Sequence, residues 1–150
     1  MRIKNKKGFT LVEIMIVVAI IALLAAIAIP NLLRTRIQAN ESAAIASLKT
    51  IATAEISYNS ANGAYIALAT LDDDTPPYID STLAAGAKQG YAFATTDIAS
   101  GTFHCSGVPT TASVTGVRSF CVTEDGVVRA QAAGGAIASR AACTALNPVQ

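Results

Sequence analysis

The sequence offers few of the residues on which catalytic sites depend. It has a single histidine, His104, and it contains no glycine-rich phosphate loop, no GxSxG sequence and no paired-carboxylate motif. His104 and Cys105 are neighbours in a predicted strand, so their side chains should point to opposite faces and cannot form a nucleophile pair. We therefore expect no enzyme activity and no catalytic residues.

Metal-binding patterns are also scarce. CxxC spacing is absent, and one histidine is too few for the common zinc sites. Asp72, Asp73, Asp74 and Asp80 offer carboxylates to calcium, but they lack the Asp-x-Asp-x-Asp-Gly spacing of a calcium loop. A solvated turn before Pro76 is the preferred interpretation. We expect neither a metal nor another cofactor.

The chain also lacks a basic surplus. Its formal net charge is +1, and four of its eleven Lys and Arg residues lie within the first eight positions. Without those positions, seven Lys and Arg face ten Asp and Glu, which gives a formal charge of −3. The sequence therefore predicts no dedicated nucleic-acid site.

What the sequence does have is one long apolar run. It extends from Phe9 to Ile29 with Glu13 as its only charge, and Pro30 follows it. A helix of this length measures roughly 32 Å, against about 30 Å for the hydrocarbon core of a bilayer. Four cations precede the run, namely Arg2, Lys4, Lys6 and Lys7. Since no later stretch is comparable, we expect a single-pass inner-membrane protein with its N-terminus inside and its C-terminus outside.

The residues at the start of this run resemble the N-terminal signal of type IV pilins and pseudopilins. The shared features are a basic leader ending in Lys7-Gly8, the sequence FTLVE from Phe9 to Glu13, the apolar helix and Pro30. The resemblance implies a leader at residues 1–8. It also implies cleavage between Gly8 and Phe9 by a membrane-embedded prepilin peptidase, which then methylates the new Phe9 amine.

Glu13 would lie inside lipid, where a charged side chain is costly and usually has a partner. Cleavage would create an amine at Phe9, one helical turn away. The Phe9 ammonium of an axially shifted neighbour, at about 4 Å in a medium of effective dielectric near 20, would attract Glu13 strongly enough to offset that cost. We therefore predict a homopolymer joined through the N-terminal helix, with Phe9, Glu13 and Pro30 as assembly residues.

Two other interpretations of the N-terminus stay open. One is an ordinary secretory signal peptide, with Ala26-Ile27-Ala28 as its cleavage site. The other is a plain membrane anchor that carries a periplasmic binding domain. Neither explains Glu13 or the glycine at position 8.

After Pro30 the helix should continue in amphipathic form to Asn62-Gly63, a typical helix end. Pro30 itself predicts a bend or a locally loosened segment at Ile27–Leu33. A stripe repeating every seven residues should face a core, with Glu41 and Glu55 mostly away from it. The members of the stripe are Ile37, Ala44, Ile51 and Tyr58, widened by Ala43, Ile45, Leu48, Ala52 and Ile56. Residues 9–30 would then form a membrane and assembly half, and residues 31–62 an amphipathic half.

Residues 63–150 are predicted to form a globular head. Residues 63–90 should be a connecting loop, residues 124–126 a hairpin turn, and residues 130–150 irregular structure over a sheet. The predicted strands are Tyr91–Thr96, Thr102–Gly107, Val117–Thr123 and Val127–Ala132. Together with the resemblance, this predicts an α+β pilin-like fold, in which one long N-terminal helix packs on a small antiparallel β-sheet.

The three cysteines all lie on the predicted translocated side, where a disulfide can form. If residues 102–107 and 117–123 pair across a turn near residues 112–113, Cys105 lies opposite Cys121, and we prefer that disulfide. The alternative is Cys121–Cys143, which would pin the C-terminal segment as terminal-loop disulfides do in many pilins. Either pairing leaves one thiol over.

The resemblance implies a structural subunit of an extracellular type IV pilus-like filament. Its expected partners are prepilin peptidase, an inner-membrane assembly platform, and the membrane before assembly. A pseudopilin or minor pilin of a type II secretion or DNA-uptake system is the alternative. The loop after Gly63 lacks the Tyr-Pro-Thr stretch of the major pseudopilin, which favours a pilin.

Overall fold

The computed structural model describes residues 8–99 and 101–149, so the predicted leader cations lie outside the described residues. The fold is α+β, as predicted, with a long N-terminal helix and a small antiparallel sheet. A short 3-10 turn follows the first helix at Leu68–Thr70. The helices are α1 (Leu11–Asn62), α2 (Ser81–Ala84) and α3 (Arg140–Thr144), and the strands are β1 (Ala87–Lys88), β2 (Tyr91–Ala99), β3 (Thr102–Pro109), β4 (Ser119–Thr123) and β5 (Arg129–Gln131).

The chain divides into two compact units between Thr35 and Arg36. In the first unit, α1 remains helical through Pro30, so the loosened segment predicted at Ile27–Leu33 is absent. Proline removes one backbone donor from this turn. In the same turn, the Asn31 side chain donates from Nδ2 to the Ile27 carbonyl at 3.2 Å.

In the second unit the five strands lie in chain order, and every neighbouring pair is antiparallel. The predicted turn at residues 124–126 is present, and Gly126 donates its N–H to the Thr123 carbonyl at 2.9 Å. Gly126 has φ +71°, a conformation that suits glycine. Strand β4 begins at Ser119 rather than the predicted Val117, because the N–H groups of Val117 and Arg118 donate to the Glu41 side chain instead.

Both faces of the sheet are covered. On one face, Leu48 and Ile51 of α1 pack in a core with Phe103 and Phe120. On the other face, the C-terminal segment forms a smaller cluster of Cys121, Ile137 and Cys143, with Leu146 beside it. Strand β4 lies between the two clusters, and all five of its residues are buried.

The C-terminal segment is more regular than predicted. Ser139 caps α3, since its Oγ accepts from the Ala142 N–H at 3.2 Å. Further on, the Val149 N–H donates to the Val128 carbonyl at 2.9 Å, which joins the chain end to the sheet.

The preferred disulfide Cys105–Cys121 is wrong. The bond joins Cys121 to Cys143, and Cys105 is a buried free thiol. In the β3–β4 register, Cys105 lies opposite Val122, and Cys121 lies opposite Ser106. Because side chains alternate between faces along a strand, this one-residue offset places the two cysteines on opposite sides of the sheet.

Candidate assembly site

Glu13 lies in the first turn of α1 and forms a capping box with Thr10. Its Oε2 accepts from the Thr10 N–H at 3.1 Å and from the Thr10 hydroxyl at 3.0 Å. In return, the Glu13 N–H donates to Thr10 Oγ1 at 3.3 Å. This reciprocal pattern satisfies donors that the helix start leaves free.

The motif T-x-x-E before an apolar run is a capping signature that can be read from sequence. The sequence analysis considered Glu13 only as a partner for a neighbouring subunit and did not predict this capping role. Only Oε2 is used in the box, and Oε1 accepts no hydrogen bond from the described residues. The acid therefore has one oxygen held by its own helix and one still available.

The surroundings of Glu13 are apolar and exposed. Every large apolar side chain from Phe9 to Leu33 is exposed, Phe9 to 82%. By length and composition, α1 is the one helix of residues 8–99 and 101–149 that could cross a membrane. Gly8, the predicted cleavage residue, precedes it and is exposed too.

In the second unit, unlike at Glu13, the acidic side chain of Glu41 is enclosed by the fold. Glu41, predicted to face away from the core, is buried. It accepts from the N–H groups of Val117 and Arg118 at 3.0 and 3.1 Å, and from Arg118 Nε at 2.8 Å. Burial alone would raise the pKa of Glu41, but these donors and the guanidinium charge outweigh it and hold the pKa below its usual value. Glu41 thus fastens α1 to the loop before β4.

Glu55 is fully buried, although it too was predicted to face away from the core. Its Oε2 accepts from the Ile66 N–H at 3.2 Å, and its Oε1 has no partner among the described residues. Burial raises the pKa of Glu55 to about 7. Glu41 and Glu55 each lie seven positions from Leu48, a spacing that could have placed both acids on the core face.

Asp80 is one of the four aspartates that the sequence analysis assigned to a solvated turn in preference to a calcium site. The Asp80 carboxylate caps α2 through the Leu83 N–H at 2.9 Å and binds Lys88 Nζ at 2.7 Å. These contacts give Asp80 a structural role within the loop.

Comparison with known proteins supports the resemblance at the N-terminus. The prokaryotic N-terminal methylation motif matches residues 3–29, which include Gly8, Phe9 and Glu13. The N-terminal segment is thus similar to those that carry this methylation motif, a group that the sequence analysis linked to type IV pilins and pseudopilins.

Three curated relatives are similar to part of this chain. The chain is 47% identical over 62 residues to the type IV wide pilus major component PilA4 of Thermus thermophilus, covering 41% of this chain and 47% of that protein. It is 49% identical over 61 residues to the type IV major pilin protein PilA of Myxococcus xanthus, covering 41% of this chain and 28% of that protein.

The third relative is the type II secretion system core protein G of Pseudomonas aeruginosa, 40% identical over 65 residues, covering 43% of this chain and 46% of that protein. The chain thus matches less than half the length of each curated relative. The likeness is to two type IV pilus proteins and one type II secretion protein, and it extends over 61 to 65 residues of this chain.

Proposed function

We propose that this chain is a structural subunit of a type IV pilus-like filament, assembled through its N-terminal helix. The observation that carries the proposal is the apolar surface from Phe9 to Leu33, whose large side chains are all exposed and which includes one acid. An apolar surface of this size is stable only in lipid or against other apolar surfaces. Membrane before assembly and a helix bundle afterwards satisfy that need in turn.

Glu13 supplies the register in this proposal. Cleavage between Gly8 and Phe9 gives each subunit an N-terminal ammonium. The Phe9 ammonium of a neighbouring subunit binds Glu13 Oε1 while the capping box keeps Oε2. The uncut chain has an amide at the same position, so it offers no charge to pair.

The steps before assembly follow from charge and length. The cations of residues 1–8 keep the N-terminus in the cytoplasm, and the head crosses to the outside. Prepilin peptidase removes the leader and methylates Phe9, and an inner-membrane platform extrudes the subunit. Pro30 marks the point where α1 can open once neighbours supply other donors.

The test compares Glu13→Gln with Thr10→Ala. Glu13→Gln removes the charge but keeps the size, and Thr10→Ala removes the capping hydroxyl but keeps the carboxylate. We expect both variants to be processed, which mass spectrometry of the mature N-terminus measures as N-methyl-Phe9. Negative-stain images of sheared cell surfaces should show filaments from Thr10→Ala and none from Glu13→Gln. Normal filaments from Glu13→Gln would contradict the proposal.

A pseudopilin or minor pilin is the second candidate, and the identity to the secretion system core protein G supports it. The pilin and pseudopilin candidates differ in the structure that the subunits form on the cell. A pilin gives long surface fibres, whereas a pseudopilin gives mature, methylated subunits without such fibres. A single-pass anchor for a binding domain would instead retain residues 1–8, which the same mass spectrum would reveal.

A further inference from the structure

His104 lies beside the disulfide, on the sheet face that the C-terminal segment covers. In the β3–β4 register, His104 is opposite Thr123 and Cys121 is opposite Ser106, so His104 and Cys121 are diagonal neighbours on one face. Cys143, which lies in α3, is bonded to Cys121 on this same face of the sheet. One ring nitrogen of His104 and the two sulfurs lie within 4.8 Å of one another, and all three residues are buried.

The two ring nitrogens of His104 are used unequally. Nδ1 is 2.8 Å from the Thr96 hydroxyl, whereas Nε2 is buried and has no partner among the described residues. An unpaired buried polar atom costs about 1–3 kcal/mol, and a disulfide sulfur is a poor partner for it. Within the described part of the chain, the second nitrogen of this imidazole is left unused.

Once the sulfurs are thiols, the same arrangement offers three neighbouring ligand atoms to a metal ion. Imidazole nitrogen and thiolate sulfur suit soft cations such as Zn²⁺ and Cu⁺. Metal-binding histidines normally hold their other ring nitrogen in a hydrogen bond, which fixes the ring and leaves the ligating nitrogen free. Thr96 provides that bond. The three residues lie on β3, β4 and α3, so their spacing along the sequence does not resemble a CxxC motif.

We propose that Cys121, Cys143 and His104 form a binding site for one soft cation in the reduced chain. The newly made chain carries both thiols before the disulfide forms. In the oxidised chain, a dithiol reductant supplies two electrons and two protons to open the bond and becomes a disulfide itself. Binding of one cation then releases the two thiol protons. The metal fastens the C-terminal segment to the sheet where the disulfide is absent.

The experiment uses the full chain in detergent with Cys105→Ala, which removes the third thiol from the opposite face of the sheet. After anaerobic reduction with a phosphine, Zn²⁺ is titrated against a chromophoric chelator. We expect one Zn²⁺ per reduced chain, no binding by the oxidised chain, and at least about tenfold weaker binding by His104→Gln. A parallel titration with Cu⁺ shows which cation is preferred. Equal affinity in the His104→Gln variant would overturn the proposal.

Two further measurements separate a built site from thiols exposed by unfolding. X-ray absorption of the zinc-loaded chain should show two sulfurs and one imidazole nitrogen, and a shell of sulfur and water alone would refute the assignment. Zn²⁺ should also raise the melting temperature of the reduced parent chain but not that of reduced His104→Gln. If the reduced chain loses its sheet and Zn²⁺ does not restore it, the proposal fails as well.

Discussion

From Phe9 to Leu33 the large apolar side chains are exposed, whereas from Arg36 onward residues of the same types form a buried core. The acids differ in the same way. Glu13 is exposed and held by its own helix turn, whereas Glu41 and Glu55 are buried among groups distant in sequence. The second unit therefore contains the contacts that stabilise it.

Within residues 8–35, the described part of the first unit, no side chain is buried, and the helix there depends on what surrounds it. The comparison separates two kinds of residue. Substitutions in the first unit should alter assembly and leave unfolding unchanged, and substitutions in the second should do the reverse. Three comparisons of variants test this division, from the largest expected effect to the smallest.

Leucine to alanine gives the largest contrast. Leu48 is fully buried, and Leu24 is 62% exposed. Leu48→Ala should lower the free energy of unfolding by about 2–5 kcal/mol because it leaves a cavity in the core. Leu24→Ala should change it by less than about 0.5 kcal/mol. Chemical unfolding in detergent measures both.

The matched readout is filament yield. Leu24→Ala should reduce the number of filaments, since Leu24 belongs to the proposed assembly surface. A loss of stability in Leu24→Ala equal to that of Leu48→Ala would mean that the division between the units is wrong.

The sequence predicted well what local chemistry decides. The end of α1 at Asn62 follows from Asn62-Gly63, and Gly63 has φ +76° as such an end requires. The turn at Gly126 is equally local. Ala44 and Ile51, taken from the seven-residue stripe, are buried as expected.

What the sequence could not supply was register. Which cysteines can pair depends on a one-residue offset between β3 and β4. That offset depends in turn on the path of residues 110–118 between the two strands. Ser113 in this loop has φ +63°, and Ala112 pairs with Gly116, features that no propensity predicts. The hydrogen-bond partners of Glu41 could not be predicted for a related reason, since Val117 and Arg118 lie in that same loop.

The second comparison concerns Glu55 and the dependence of the free energy of unfolding on pH. Its folded pKa of about 7 lies above the ordinary value of 4.5, so the folded state holds the proton more tightly than the unfolded state does. The stabilisation is complete below about pH 4.5, declines as pH rises, and is lost above about pH 7. The free energy of unfolding should fall by about 3 kcal/mol across this range.

Glu55→Gln should remove that decline, because the amide does not titrate. The measurement is chemical unfolding at several pH values between 4 and 8, on the parent and the variant. Glu13→Gln is the control from the first unit and should keep the parent's pH profile. An unchanged decline in Glu55→Gln would assign the dependence to another group.

Glu41 gives the smallest of the three effects and tests how the buried acids differ from Glu13. Glu41→Ala leaves the N–H groups of Val117 and Arg118 without their acceptor, so unfolding should become about 1–3 kcal/mol easier. The pKa of Glu41 is lowered in the folded state, so its stabilisation is present at neutral pH and is lost as pH falls through the acid range. The difference in the free energy of unfolding between the parent and Glu41→Ala should therefore shrink toward low pH, opposite in direction to the effect of Glu55.

Filaments should still form from Glu41→Ala at temperatures where the head is folded, because Glu41 stabilises the core and is not part of the proposed assembly surface. Loss of filaments from a folded Glu41→Ala head would show that the loop before β4 also takes part in assembly.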